Sequence, residues 1–356
     1  MSLAKLAARA AETLTPFAAH LTLTHACQLA CAHCYQSEHH SEDLSTDEVF
    51  RLLAELKQLG TFAVTLSGGD PLLRKDFWEI AAETARLRFH WVVYTNGLKV
   101  DAEVAQRLRA LGVARVEVSL HGAHAFTHDS FVGRKGAMQK VLDAVEHLLA
   151  AGVHTVVKTS VHRGNASELP ELKARFTGRP GLEWQHDTTM HQRDDGDRSP
   201  NRMEATDRQL LAIARWEAAA LQPRPRADAS RPLPVFDPAK AAPCNAGRSS
   251  LAIEPTGDVL ACVMLPNMIL GNVRERPLSA IWLDNPAVAE LRALTLASYE
   301  HCRGCEFISV CSHCPASSLN ESGSLTGHSE SVCRKTKTFW TTMRERYAEL
   351  GLPPPI

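Results

Sequence analysis

The sequence has no run of about 18 apolar residues, so no helix able to cross a bilayer is expected. It has no excess of charge of either sign: 39 Lys and Arg face 40 Asp and Glu, for a formal net charge of −1. No block of basic residues interrupts that balance, which argues against nucleic acid as a partner. An export signal is missing too. Residues 1–15 are Ala-rich with Lys5 and Arg9, but no apolar stretch follows that would export or anchor the chain, and they read as a surface helix. At 356 residues the chain can bury a large core and form more than one domain.

Cysteine is what the chain does have. Ten are present, and three fall in one short run, Cys27-Gln-Leu-Ala-Cys31-Ala-His-Cys34-Tyr35. Three thiolates in one loop can hold three irons of a [4Fe–4S] cube and leave the fourth iron without a protein ligand. A zinc site completed by His25 or His33 would use the same residues, since zinc accepts mixed Cys and His ligation.

The following residues alternate between strand and helix patterns. Ser45-Thr46-Asp47-Glu48 has the form of a capping box, and Val49, Leu52, Leu53 and Leu56 recur behind it at helical spacing until Gly60. Strands are expected at 19–24, 62–66, 91–94, 113–120, 153–161 and 182–184, with helices at 77–86, 103–111, 138–149 and 169–176. The unit repeats about every 30 residues, as parallel βα units do. Six units predict an α/β fold, an open, partial version of the β/α barrel. The polar motifs then gather at the C-terminal ends of the strands, where such barrels build their sites. They are the cysteine loop, Ser67-Gly68-Gly69-Asp70-Pro71, Thr95-Asn96-Gly97, Ser119-Leu120-His121-Gly122, Lys158-Thr159 and His186-Asp187.

Cys-x3-Cys-x2-Cys followed by an aromatic, on the first loop of such a barrel, resembles the signature of the radical S-adenosylmethionine (SAM) enzymes. The resemblance implies that Cys27, Cys31 and Cys34 hold a cluster whose open iron chelates the methionine end of SAM. It implies that Gly68 and Gly69 leave backbone bare for the methionine ammonium, with Asp70 where glutamate is commoner. Asn96 joins the SAM contacts, and Ser119 matches the serine that usually bonds the ribose. The family often has aspartate two residues later, where this chain has His121. Of the two cations that could meet the methionine carboxylate, Lys158, in an apolar strand, is preferred to Arg134, which reads as a solvated surface charge. No catalytic side chain can be named from the sequence.

The other seven cysteines run Cys244-x12-Gly257-x4-Cys262, then Cys302-x2-Cys305-x5-Cys311-x2-Cys314, then Cys333. This resembles the SPASM extension, which holds two auxiliary iron–sulfur clusters; its last short gap is two residues where three is usual. By position the resemblance assigns Cys244, Cys262 and Cys314 to auxiliary cluster I and Cys302, Cys305, Cys311 and Cys333 to auxiliary cluster II. A zinc ribbon on Cys302, Cys305, Cys311 and Cys314 would leave Cys244, Cys262 and Cys333 unexplained. Three, three and four ligands use all ten cysteines and leave none for disulfides, which suits a reducing, cytoplasmic setting. Cluster I then has three cysteines, and water, an oxygen or nitrogen ligand, or a substrate thiol could fill its fourth position.

The expected organisation is an N-terminal helical extension at 1–17, the barrel at 18–221, a Pro- and Arg-rich linker at 222–243, the SPASM domain at 244–335 and a C-terminal helix and tail at 336–356. Residues 192–202 form a polar loop near the site, and Trp282 reads as core. A SPASM tail implies a maturase of ribosomally made peptides that introduces a thioether or carbon–carbon crosslink or another side-chain or backbone modification. The segment 119–127 and the pair Lys158-Thr159 resemble peptide maturases as well. Action on a small molecule such as a sugar or porphyrin is the alternative. A sulfatase-type maturase is disfavoured because Val263, not an aspartate base, follows Cys262, and a bare electron carrier is disfavoured by the SAM motifs. The partners implied are a precursor peptide and a flavodoxin- or ferredoxin-type reductant. About 18 residues precede the first strand, too few for a leader-binding domain, so a separate leader-binding protein is expected, or recognition by the barrel mouth and the 192–202 loop.

Overall fold

The computed structural model describes residues 3–38, 42–221 and 236–352. Most of the expected linker (222–235) and the proline-rich end (353–356) lie outside them. The chain divides into two compact units, residues 1–204 with 245–292, and residues 205–244 with 293–356.

The first unit is built on one nine-stranded sheet. Its strands are β1 (Ala18–Thr22), β2 (Ala63–Ser67), β3 (His90–Thr95), β4 (Arg115–Ser119), β5 (Thr155–Ser160), β6 (Leu182–Asp187), β7 (Ser250–Ile253), β8 (Asp258–Leu260) and β9 (Ile269–Asn272). Their order is β6-β5-β4-β3-β2-β1-β7-β8-β9, so β6 and β9 are edges and the barrel is partial. The sheet does not stop at the six expected strands. β7 continues it in parallel beside β1, with Ala18 opposite Ser250 and Leu21 opposite Ile253, and β8 and β9 follow antiparallel.

Between the strands run α2 (Thr46–Gln58), α3 (Phe77–Arg86), α4 (Ala102–Ala110), α5 (Ala125–Val132), α6 (Ala137–Ala150) and α7 (Leu169–Phe176), after an N-terminal α1 (Leu3–Glu12). The capping box forms: Ser45 Oγ accepts from Glu48 N, and Glu48 accepts from Ser45 N at 2.7 Å. Leu53 and Leu56 of α2, Ile80 of α3, Leu108 of α4 and Leu148 of α6 are fully buried, as are Val64, Leu66, Val93, Val116 and Val118 of the strands. Each such leucine contributes about 2 kcal/mol through burial. The alternate strand residues turn inward, and there the polar ones lie: Thr22, Ser67, Tyr94, Glu117, Ser119 and Lys158. Trp282, in α9 (Leu278–Leu283), is fully buried, as core.

The second unit packs α8 (Asp207–Ala219) against α12 (Glu330–Glu349), with α11 (Pro315–Ser322) and short turns beside them; α10 (Pro286–Ala293) leads into it. Thr206 and Gln209 form a capping box on α8, and Arg334 bonds Asp207 at 2.7 Å. α12 starts six residues before the helix expected from 336. Ser329 caps it by accepting from Val332 N, so Cys333 is presented from its first turn.

Candidate functional site

The chain leaves β1 at the C-terminal rim and enters an irregular loop carrying Cys27, Cys31 and Cys34, all half-buried. Two segments hold that loop. Ala30 N and Ala32 N donate to Val132 O (3.1 Å) and Phe131 O (2.9 Å) at the end of α5, while Gly69 N and Asp70 N donate to Thr24 O (2.8 Å) and Ala26 O (2.9 Å). Burial, then the charges of Cys34 and Cys27, pushes the Cys31 thiol up to about 12. Burial raises Cys27 and Cys34 too, and each also feels a neighbouring thiol or carboxylate. Three thiols this close resist ionising together, and iron, by taking the thiolates, relieves that repulsion. Leu29 N (3.4 Å) and Asn96 Nδ2 (3.7 Å) already point at Cys27 Sγ, as donors do toward cluster sulfurs. The donor set fits an iron–sulfur cube with one free corner.

Gly68 and Gly69 serve the chain's own backbone. A Cβ on Gly68, whose φ is +156°, would lie 2.4 Å from Thr24 O, and one on Gly69 would lie 2.3 Å from Ala26 O. Only glycine lets the second loop lie so close along the cysteine loop. Asp70 is fully buried and accepts from Leu72 N (3.0 Å), Thr95 Oγ1 (2.9 Å) and Asn96 N (3.2 Å). Burial raises its carboxyl to about 6 in spite of those donors. Asp70 therefore ties the second loop to the third, and its side chain is not open to a ligand. Asn96 Oδ1 accepts from Gln28 Nε2 at 3.1 Å, which completes the link back to the cysteine loop.

Ser119 and Lys158 are register partners on β4 and β5. The Lys158 ammonium donates to Gln185 Oε1 at 2.9 Å and lies 3.8 Å from the buried Glu117 carboxylate. Arg134, by contrast, follows the left-handed Gly133 that ends α5 and donates to Gln28 O at 3.2 Å, beside the cysteines. His121 is buried and neutral, and its Nδ1 accepts from Ser160 N at 3.1 Å. Phe131 stacks on His33 (4.7 Å) and on His162 (3.9 Å), which makes the wall beside the cysteine loop aromatic. The His186 ring stacks on Trp184, and Asp187 caps the turn at Thr189 N. Residues 192–202 do reach the site: Asp194 N donates to Tyr35 O (2.8 Å) and Ser37 N to Asp194 Oδ1 (2.9 Å).

Sequence reasoning missed α5 with His128 and Phe131, His162 just after β5, and Glu254. α5 buries His128, Phe131 and Val132 on one face, but a histidine is among the buried groups and Phe126 is exposed, so its apolar residues do not recur at helical spacing. Glu254 meets His25 Nε2 at 2.9 Å and Thr22 Oγ1 at 3.4 Å only because β7 joins β1.

In the second unit Cys302, Cys305, Cys311, Cys314 and Cys333 line one pocket with Tyr299 and His313. Burial raises the Cys302 thiol, and Cys311, Cys305 and Cys333 raise it further; Cys311 likewise feels Cys333 and Cys305. Thr336 Oγ1 (3.4 Å) and Ser317 N (3.5 Å) donate to Cys311 Sγ and Cys314 Sγ. Burial raises the Tyr299 hydroxyl first, and the thiols of Cys244, Cys314, Cys302 and Cys311 raise it further. In the first unit Cys262 follows β8, with Val263 after it, near Tyr35. Among the described residues, no three His, Cys, Asp or Glu side chains converge on a point that would hold a single ion.

The model of the radical SAM superfamily matches residues 21–172, and that of SPASM, an iron–sulfur cluster-binding domain, matches residues 244–306. Similar proteins include the mycofactocin maturase MftC of Mycobacterium ulcerans, 30% identical over 299 residues that cover 79% of this chain and 80% of that one. The PqqA peptide cyclase of Xanthomonas euvesicatoria is 28% identical over 303 residues, covering 82% and 80%. An AdoMet-dependent heme synthase of Methanosarcina barkeri is 28% identical over 327 residues, covering 85% and 91%. Among solved structures, anSMEcpe with bound AdoMet superposes with a TM-score of 0.69 at 16% identity, covering 94% of this chain and 95% of that one. Streptococcus suis SuiB bound to S-adenosylmethionine gives a TM-score of 0.63 at 16% identity, covering 89% and 77%.

Proposed function

The chain belongs to the radical SAM superfamily and carries a SPASM iron–sulfur cluster-binding domain, and on that premise we propose that it modifies a peptide or protein. The observation that carries this reading is the 30% identity to a maturase along most of both chains, joined to a barrel left open at β6 and β9. An open barrel gives an extended polypeptide lateral access that a closed one would deny.

With SAM and a cluster bound, the cofactor would supply radical abstraction of a hydrogen atom from a substrate carbon, and the protein's part would be to bind, orient and exclude water. In this reading Cys27, Cys31 and Cys34 hold that cluster. The rim between the Gly68–Gly69 loop, Asn96 and Ser119 receives SAM. Arg134, already on the cysteine loop, meets the methionine carboxylate, and Lys158 faces the substrate side with Gln185 and Glu117. His33 and Phe131 wall the site and keep it dry. Cys302, Cys305, Cys311 and Cys333 form one auxiliary set, and Cys244, Cys262 and Cys314 the other. The product is a thioether or carbon–carbon crosslink or a related modification.

A second reading, a small porphyrin-type substrate, is favoured by the heme synthase names at 28–29% identity. One experiment separates the two. Anaerobic protein, SAM and reductant are incubated with short peptides encoded beside the gene. A product lighter by two hydrogen atoms, formed together with 5′-deoxyadenosine, supports the peptide reading. Turnover of a porphyrin, with every such peptide inert, overturns it.

A further inference from the structure

The inner face of the barrel holds a carboxylate that the fold leaves half-used. Glu117 lies on β4, two residues below Ser119 and on the same inward face, about 7 Å beneath the rim. Its side chain is only 4% exposed. Oε1 accepts from Arg115 Nε at 2.7 Å, whereas Oε2 is buried with no hydrogen-bond partner. Tyr94, opposite on β3, stands beside the same carboxylate, and Oε2 takes no hydrogen bond from it. Lys158 Nζ is 3.8 Å from Oε2, beyond hydrogen-bond reach, and donates instead to Gln185 Oε1 at 2.9 Å. An ammonium has three donors, so Lys158 keeps N–H groups to spare. Its side chain is 43% exposed and open to whatever enters the barrel. A buried oxygen left without a donor is costly, and such a group calls for a function or a bound partner to explain it.

An acceptor and a donor 3.8 Å apart define what fits between them. Two cations, Arg115 and Lys158, already flank this carboxylate, so a cationic side chain would be repelled. An anionic one would reach Lys158 but set a like charge against Oε2. A neutral group that donates and accepts at once satisfies both atoms. A hydroxyl oxygen about 2.8 Å from each closes a gap of that width, and a carboxamide does so with its N–H and its oxygen.

We propose that Glu117 and Lys158 hold a neutral hydrogen-bonding side chain of the substrate, a hydroxyl or a carboxamide, which donates to Glu117 Oε2 and accepts from Lys158 Nζ. No covalent bond is made or broken in this contact; it positions the substrate beneath the rim. The inference rests on the peptide reading above, and its test separates the two.

The full-length, cluster-loaded chain is assayed with SAM, reductant and the short peptide encoded beside the gene that it modifies. In one arm each serine, threonine and tyrosine of that peptide is changed to alanine, valine or phenylalanine; in a second, each asparagine and glutamine to leucine or methionine. A third arm neutralises each charged residue. Removing the one side chain held by the pair should lower kcat/KM about tenfold to a hundredfold, chiefly through KM. The same peptide change should cost less than about twofold in Glu117→Gln, where Arg115 keeps the amide oxygen and an NH2 turns into the gap. Lys158→Met, at a more exposed position, should abolish the coupling as well and serves if Glu117→Gln does not fold. The first two arms tell hydroxyl from carboxamide. Coupling at a charged position, or losses that simply add at every position, overturns the inference and leaves the peptide reading standing. If no such peptide is modified, both fall.

Discussion

Asn96 Nδ2 points at the sulfur of Cys27 from 3.7 Å, across 69 residues of sequence. The same amide accepts from Gln28 Nε2, so one side chain both orients the cysteine loop and puts a donor on a proposed cluster ligand. Donors to the sulfurs raise a cluster's potential. Asn96→Ala should therefore lower the barrel cluster's potential by on the order of tens of millivolts and slow 5′-deoxyadenosine formation. Redox titration by EPR checks this, and an unchanged potential would mean that the contact is only structural.

The loop contact at Gly69 predicts a sharper effect. With a Cβ 2.3 Å from Ala26 O, Gly69→Ala must push the two loops apart, at a cost of about 2–3 kcal/mol locally. The variant should fold, bind less iron at the barrel site and hold SAM poorly. Normal iron and normal SAM affinity would show that the loops have room to give.

Arg134 and Lys158 make opposite predictions. Arg134→Gln should weaken SAM binding about tenfold to a hundredfold, as losing a charged partner costs about 1.5–3 kcal/mol. Lys158→Met should leave SAM binding nearly unchanged and act on substrate turnover. Isothermal titration of the cluster-loaded protein decides between them, and the reverse ranking would restore Lys158 to the carboxylate.

Asp70 carries a pH signature. Its carboxyl rises to about 6 in the folded chain, against about 3.9 in an unfolded one. Between those values the folded state holds a proton that the unfolded state has lost. The stabilising contribution is full below about pH 4 and is lost as pH rises through 6. Denaturation of wild type and Asp70→Asn from pH 5 to 7 should show a downward slope in the wild type that the amide flattens. Equal slopes would assign the titration to another group.

Metal content tests the whole assignment. Reconstituted protein should hold about 12 Fe if all three clusters are cubes. Changing Cys27, Cys31 and Cys34 to Ala should remove about four of them and abolish 5′-deoxyadenosine. Zinc in place of iron after anaerobic purification would refute the cluster reading.

The sequence by itself determined the βα alternation, the capping box at Ser45 and the gathering of polar motifs on one rim. These depend on spacing between near neighbours, and spacing is visible in one dimension. It also pointed to the cofactor chemistry, through the resemblance of Cys27, Cys31 and Cys34 on the first barrel loop to the radical SAM signature. The tertiary structure decided what distant segments do to each other. It showed that Gly68 and Gly69 are small for the sake of Thr24 and Ala26, and that Asp70 is a buried bracket for Thr95 and Asn96. It brought β7, and with it Glu254, to β1, and it placed Arg134 on the cysteine loop. In each case the deciding quantity is a distance of a few ångströms between residues remote in the chain, set by how the sheet and loops pack and carried by no local pattern.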